Sequence, residues 1–120
     1  MPSYDNLPVY KLCYDLLLEL FQQIKGMDRE YKFSIGADIK QEVTHLIANI
    51  YRANCTQHKI ILLGQARENV EMVRLYLRLL KDLKQVSLPK FIQLNEKIES
   101  ISKQLSFWQK HASNVGSESQ

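Results

Sequence analysis

The sequence predicts an all-α fold, an antiparallel up-down-up-down four-helix bundle. Apolar residues recur at alternating steps of three and four along four long segments, the mark of a helix with one buried face. The breaks between those segments are short and polar. Only 4 Gly and 3 Pro occur in 120 residues, too few for a turn-rich β-sandwich, and no strand signal competes.

The first helix is expected over residues 8–25, with Val9, Leu12, Cys13, Leu16, Leu17, Leu20, Phe21 and Ile24 on its apolar face. Pro8 suits a first helical position, where its missing N–H has no intrahelical partner. Gly26 is read as the stop, in the left-handed conformation that often follows a helix. Residues 27–33 read as a turn with a brief helical piece. Ser34 is placed as the cap of a second helix that buries Ile35, Ile39, Val43, Leu46, Ile47 and Ile50 and ends near Asn54. Gly36, inside that helix, blurs its start.

The third helix is expected over residues 57–86, the longest of the four, with Leu63, Ala66, Val70, Val73, Leu77 and Leu80 as its core row. Gly64 costs it about 1 kcal/mol relative to alanine, which packing must cover. Ser87, with Pro89 behind it, opens a fourth helix whose row is Phe91, Leu94, Ile98, Ile101, Leu105 and Trp108. That 3.5-residue period is the seam of left-handed packing between nearly parallel helices. The bundle domain is assigned to residues 1–112. Residues 113–120, small and polar, are expected to form a disordered tail.

Several function classes drop out. The longest apolar run is Ile60-Ile61-Leu62-Leu63, far short of the roughly 20 residues of a membrane span. The first residues lack the basic start and apolar stretch of a secretory signal. Two cysteines make no disulfide framework, so a cytoplasmic setting is expected. There is no phosphate-cradling glycine loop, nucleophile elbow or His-Glu-x-x-His pair. Cys55-x-x-His58 is the one metal-like spacing, and only Cys13, His45 and His111 remain to complete a site. Glu42-x-x-His45 occurs once, where a di-iron bundle needs the motif twice. No catalytic residue, metal or cofactor is expected.

Charge is uneven. Residues 1–58 carry 6 basic and 7 acidic side chains, residues 59–120 carry 10 and 6. On a helical wheel the third helix places Arg67, Arg74, Arg78 and Lys81 in one stripe, between about 60° and 120° from its core row. Pairing within the helix, through Arg67–Glu71, Glu71–Arg74 and Arg78–Asp82, leaves positive charge over. Arginine suits phosphate contacts, because its planar fork grips two oxygens. A second apolar row, Met72, Tyr76, Leu79 and Leu83, runs along the other flank, and Leu75 and Ile61 widen it further. One bundle hides one such row, so the surplus predicts self-association through this helix. The aromatic residues show no interleaving with basic ones of the kind that marks a single-strand platform, and Phe91 and Trp108 read as packing.

The third helix, Gln65-Ala66-Arg67-Glu68-Asn69-Val70-Glu71-Met72-Val73-Arg74-Leu75-Tyr76-Leu77-Arg78-Leu79-Leu80-Lys81-Asp82-Leu83, resembles that of the accessory variability determinant (Avd) proteins of diversity-generating retroelements. Tyr14-Asp15-Leu16-Leu17-Leu18, Arg29-Glu30-Tyr31-Lys32, Tyr51-Arg52-Ala53-Asn54, Leu94-Asn95-Glu96-Lys97 and Leu105-Ser106-Phe107-Trp108 support the resemblance, which covers about residues 8–110. It implies a barrel-shaped homopentamer with a positively charged surface. Such a protein binds RNA or DNA and the element's reverse transcriptase, supports mutagenic copying of template RNA into cDNA, and is not itself a catalyst. Carried over, Arg67, Arg74, Arg78 and Lys81 are expected as nucleic-acid or polymerase contacts, with Arg52 as a secondary candidate. Two places depart from the family pattern: Met27-Asp28-Arg29 replaces an apolar-Pro-Arg turn, and Phe107 stands where a small residue is commoner. A related group, encoded in intervening sequences of large-subunit rRNA genes, shares the bundle and the pentameric habit. It supplies the competing reading, an oligomeric adaptor with no reverse transcriptase partner.

Overall fold

The computed structural model describes residues 7–119, with side chains described for residues 7–112. The chain runs through α1 (Pro8–Lys25), the single turn α2 (Arg29–Lys32), α3 (Ile35–Asn54), α4 (Lys59–Asp82) and α5 (Leu88–Ser119), with no strand among the described residues. The tail expected over residues 113–120 lies outside the residues whose side chains are described. The four long helices pack in a ring in which α1 touches α3, α3 touches α4, α4 touches α5, and α5 returns to α1. This is the expected antiparallel four-helix bundle.

Each long helix delivers one row to the common core. Cys13, Leu16, Leu20 and Ile24 of α1 meet Ile39, Val43, Leu46 and Ile50 of α3, and all are buried. All six core-row residues expected on α4 are buried, as are Leu94, Ile98, Ile101 and Leu105 of α5. Burying a side chain of this size stabilises the fold by about 1.5–3 kcal/mol. Phe21 corrects the expected α1 face. It is 52% exposed, and the Lys40 ammonium sits over its ring at 4.6 Å.

The helix ends follow different chemistry from that expected. Gly26 closes α1 at φ −92°, an ordinary right-handed value, and a Cβ there would meet nothing nearer than 3.9 Å, so glycine is not required. Ser34 does not cap α3. Its hydroxyl donates to the Glu30 carbonyl at 2.8 Å and closes α2 instead. Gly36 has a packing reason: a Cβ there would lie 2.9 Å from Ile24 Cγ2 and 3.2 Å from the Tyr31 carbonyl oxygen. Only a residue without a side chain lets α3 start this close to the end of α1.

Helix α4 is shorter at both ends than residues 57–86. At its start Lys59 Nζ donates to the Ala53 and Thr56 carbonyls, both at 2.7 Å, tying α4 to the free end of α3. Burial lowers the pKa of that ammonium, and attraction to Cys55 works the other way. At its finish Lys84 turns into the left-handed region at φ 62°. The Gln85 N–H then reaches back to the Leu80 carbonyl at 2.8 Å and the Lys84 N–H to that of Lys81 at 3.0 Å, a Schellman stop. Ser87 opens α5 as expected, its hydroxyl accepting from the Lys90 N–H at 3.3 Å.

Three measurements check these assignments. Lys84→Gly relieves a left-handed lysine and is expected to stabilise the bundle by up to about 1 kcal/mol in urea unfolding; a loss of stability contradicts the strained stop. Burial pushes the Cys13 thiol up to about 12. The unfolded chain releases that proton from near pH 9 and the folded chain does not, so stability is fully present below pH 9 and falls as pH rises toward 12. The slope is expected to reach about 1.4 kcal/mol per pH unit more than in Cys13→Ala. Cys13 should also label slowly with a thiol reagent and the exposed Cys55 quickly.

Candidate nucleic-acid interface

The stripe of Arg67, Arg74, Arg78 and Lys81 occupies the flank of α4 beside α5, which Arg67, Arg74 and Lys81 reach directly. Arg67 is exposed and donates from Nη1 to Gln109 Oε1 at 2.6 Å, a neutral partner that leaves its charge intact. Lys81 lies with Nζ 4.7 Å from the Phe91 ring centre and 3.9 Å from Asp82 Oδ1. Arg78 is exposed and forms no ion pair among the described residues.

Arg74 differs from the other three. Nη1 meets Glu71 at 2.6 Å and Nη2 meets Glu99 of α5 at 2.8 Å, while its buried Nε finds no hydrogen-bond acceptor. Of the pairs expected within the helix, only Glu71–Arg74 forms. Two carboxylates satisfy this guanidinium, so it clamps α4 to α5 more than it faces a phosphate. Free charge on the flank therefore comes from Arg67 and Arg78, while Lys81 is shared with Asp82 and the Phe91 ring.

Arg52 does not join them. It lies on the opposite side of α4, in a polar cleft of about 340 Å³ between α3 and α4 shared with His45, Gln65 and Glu68. Deeper in the same seam, Asn49 Nδ2 donates to Asn69 Oδ1 and Asn69 Nδ2 to Glu42 Oε1, both at 2.8 Å.

The second apolar row of α4 is partly open. Met72 and Leu79 are 37% and 39% exposed, and Leu75 and Ile61 more so. Tyr76 and Leu83 are half-buried, Tyr76 against the core. Sequence reasoning missed a second open patch, formed by Tyr14, Leu18 and Phe21 on α1. Its signal was present in the steps of four and three, hidden because Phe21 was counted with the core.

Among the described residues no three His, Cys, Asp or Glu side chains come together as a metal would require. No described helix is long and apolar enough to cross a membrane.

The described residues form a four-helix bundle with a basic flank on α4 beside an open apolar row. The sequence profile of the bAvd-like family matches residues 9–112, and the chain belongs to that family. Among solved structures, a protein of unknown function from the S23 ribosomal protein family of Bacteroides thetaiotaomicron VPI-5482 superposes with a TM-score of 0.78. The two are 22% identical, and the match covers 90% of this chain and 99% of that one, a likeness of fold. No curated protein matches the chain.

The two arginines should separate in a stability measurement. Arg74→Ala removes a clamp between α4 and α5 and is expected to cost up to about 1 kcal/mol, discounted because both acids are solvent-exposed. Arg78→Ala should stay within about 0.5 kcal/mol of the parent. Equal losses in urea unfolding would place both side chains in the same role.

Proposed function

We propose that the protein is a non-catalytic, cytoplasmic accessory subunit of a diversity-generating retroelement. In this reading it binds RNA or DNA and the element's reverse transcriptase and supports mutagenic cDNA synthesis. Membership of the bAvd-like family over residues 9–112 carries the reading. The flank of Arg67, Arg78 and Lys81 supports it: among the described residues the two arginines meet no internal carboxylate, and Lys81 shares its charge only with Asp82 at 3.9 Å.

The reading includes a homo-oligomer, with five as the number that the family resemblance implies. Two different open apolar patches, one on α4 and one on α1, favour head-to-tail closure into a ring. A two-fold dimer uses one patch twice, whereas a ring needs two different patches on every subunit.

The second reading, an oligomeric adaptor of the rRNA intervening-sequence type, draws support from the fold shared with the S23-family structure. Nucleic-acid binding separates the two. Affinity for a labelled RNA or DNA should fall steeply with added salt, as bound phosphates recover their counterions. Arg67→Ala, Arg78→Ala and Lys81→Ala together should weaken binding alike for every sequence and make the salt dependence shallower. Light scattering should return an oligomer for this variant and the parent, and smaller species for Met72→Glu with Leu79→Glu. A parent that ignores nucleic acid at low salt, and does not co-purify with the reverse transcriptase, favours the adaptor.

A further inference from the structure

Among the residues whose side chains are described, one end of the bundle holds no carboxylate. Residues 7–14, 51–67 and 100–112 converge there. Gln109 ties the last two together, accepting from Arg67 and donating to the Ile60 carbonyl at 3.1 Å. The same three segments carry Lys11, Arg52, Lys59, Arg67, Lys103 and Lys110 and no Asp or Glu. Asp15, Glu68 and Glu99 mark the border, and Asp15 pairs with Lys11 at 3.3 Å. Residues 15–50 and 68–99, the rest of the bundle, hold 11 acidic against 10 basic side chains. Within residues 7–112 all the surplus positive charge therefore sits at one end.

A cavity of about 680 Å³ opens at that end, between the start of α1 and the last described turns of α5. Leu7 and Val9 form one wall, Phe107 and Trp108 another, with Lys103 and His111 also lining it. Its size lies within the roughly 300–1,000 Å³ of small-ligand sites. Phe107 is 74% exposed, and the His111 ring lies parallel to it, 2° between planes with centroids 6.5 Å apart. An aromatic face this open, at a cationic end, is poorly explained by packing.

We infer that this end takes an unpaired nucleobase of a single-stranded nucleic acid, stacked in the Phe107–Trp108 cavity, with the adjoining phosphates on Lys103 and Lys110. The inference rests on the nucleic-acid reading above and names its substrate class. The cations select a polyanion, and the cavity selects a flat apolar body. A single strand presents both in one flexible chain. A duplex keeps its bases stacked inside and offers only phosphates. Base stacking on aromatic side chains is sequence-tolerant, because every base has a π-face. The site therefore discriminates by strandedness.

Trp108 is the only tryptophan of the chain and so reports on the cavity directly. The full-length protein is titrated at low salt with single-stranded RNA and DNA of about twelve nucleotides, within the range one such site spans. An abasic strand of equal length, a duplex and a polyglutamate peptide are titrated beside them. Anisotropy of labelled ligand reads binding, and fluorescence with unlabelled ligand reads Trp108.

Single strands are expected to bind and quench Trp108, and the abasic strand to bind about tenfold more weakly without quenching. Phe107→Ala and Phe107→Leu should both lose about tenfold for single strands and leave duplex affinity unchanged, with helical circular dichroism retained. Equal binding of the abasic strand with a silent Trp108 overturns the inference while leaving phosphate binding intact. Quenching by polyglutamate as strong as by RNA also overturns it and assigns the cavity to a protein segment. A Phe107→Leu that binds like the parent overturns stacking in favour of plain apolar contact. Failure of every nucleic acid to bind by anisotropy sinks the underlying reading itself.

Discussion

Helix α4 has to satisfy three strips at once, and the bundle is arranged around that constraint. Its core row accepts burial from every side. Its α3 flank must complete the chain Asn49–Asn69–Glu42, and its α5 flank must place Arg74 between Glu71 and Glu99. A seam of Leu, Ile and Val alone tolerates a slip along the helix, because one aliphatic side chain replaces another at small cost. The amide chain does not. Sliding α4 against α3 leaves a largely buried Asn49 without its partner, at about 1–3 kcal/mol, as much as burying a leucine contributes. Polar atoms at the edge of the core therefore set the register that the apolar atoms stabilise.

The fold was legible because its helices are long and their periods clean. The α4 core row and the ranges of α1 and α3 could be read from spacing alone. The ends were less so, since a helix stop is decided by contacts that spacing does not encode. Lys84 adopts a left-handed conformation at a lysine, where composition points to a glycine, and Gly26 does not use the freedom its residue type offers. Ser34 has the right chemistry for a cap and spends its hydroxyl on the preceding turn.

The basic stripe was legible as a row but not as a set of free charges. Beside Glu71 and Asp82 of α4 itself, its partners Gln109, Glu99 and Phe91 come from α5, and no period within α4 reveals them. The acid-free end was hidden for a related reason. It is assembled from three segments far apart in the chain, none of which is dense in charge by itself. What the sequence did show, and a residue count along the chain obscured, is that all three lack Asp and Glu.

Charge at one end of an elongated subunit bears on assembly. If bundles pack side by side in a ring with their axes alike, the cation-rich ends fall on the same rim, and their repulsion opposes the apolar burial that closes the ring. Repulsion of that kind is screened over about 10 Å at 0.1 M salt, so it matters most where neighbouring ends come closest. A polyanion lying across the rim removes the repulsion and touches several subunits together. It then binds the ring more tightly than the separate subunit, and by linkage it stabilises the ring by the same free energy. Added salt acts in two directions: it screens the rim, favouring closure, and it weakens the polyanion, removing the ligand that favours closure. Which effect wins depends on how much of the ring's stability comes from the apolar patches on α4 and α1. In such a ring the exposed area of Met72, Leu75 and Leu79 on α4 and of Tyr14, Leu18 and Phe21 on α1 supplies that burial.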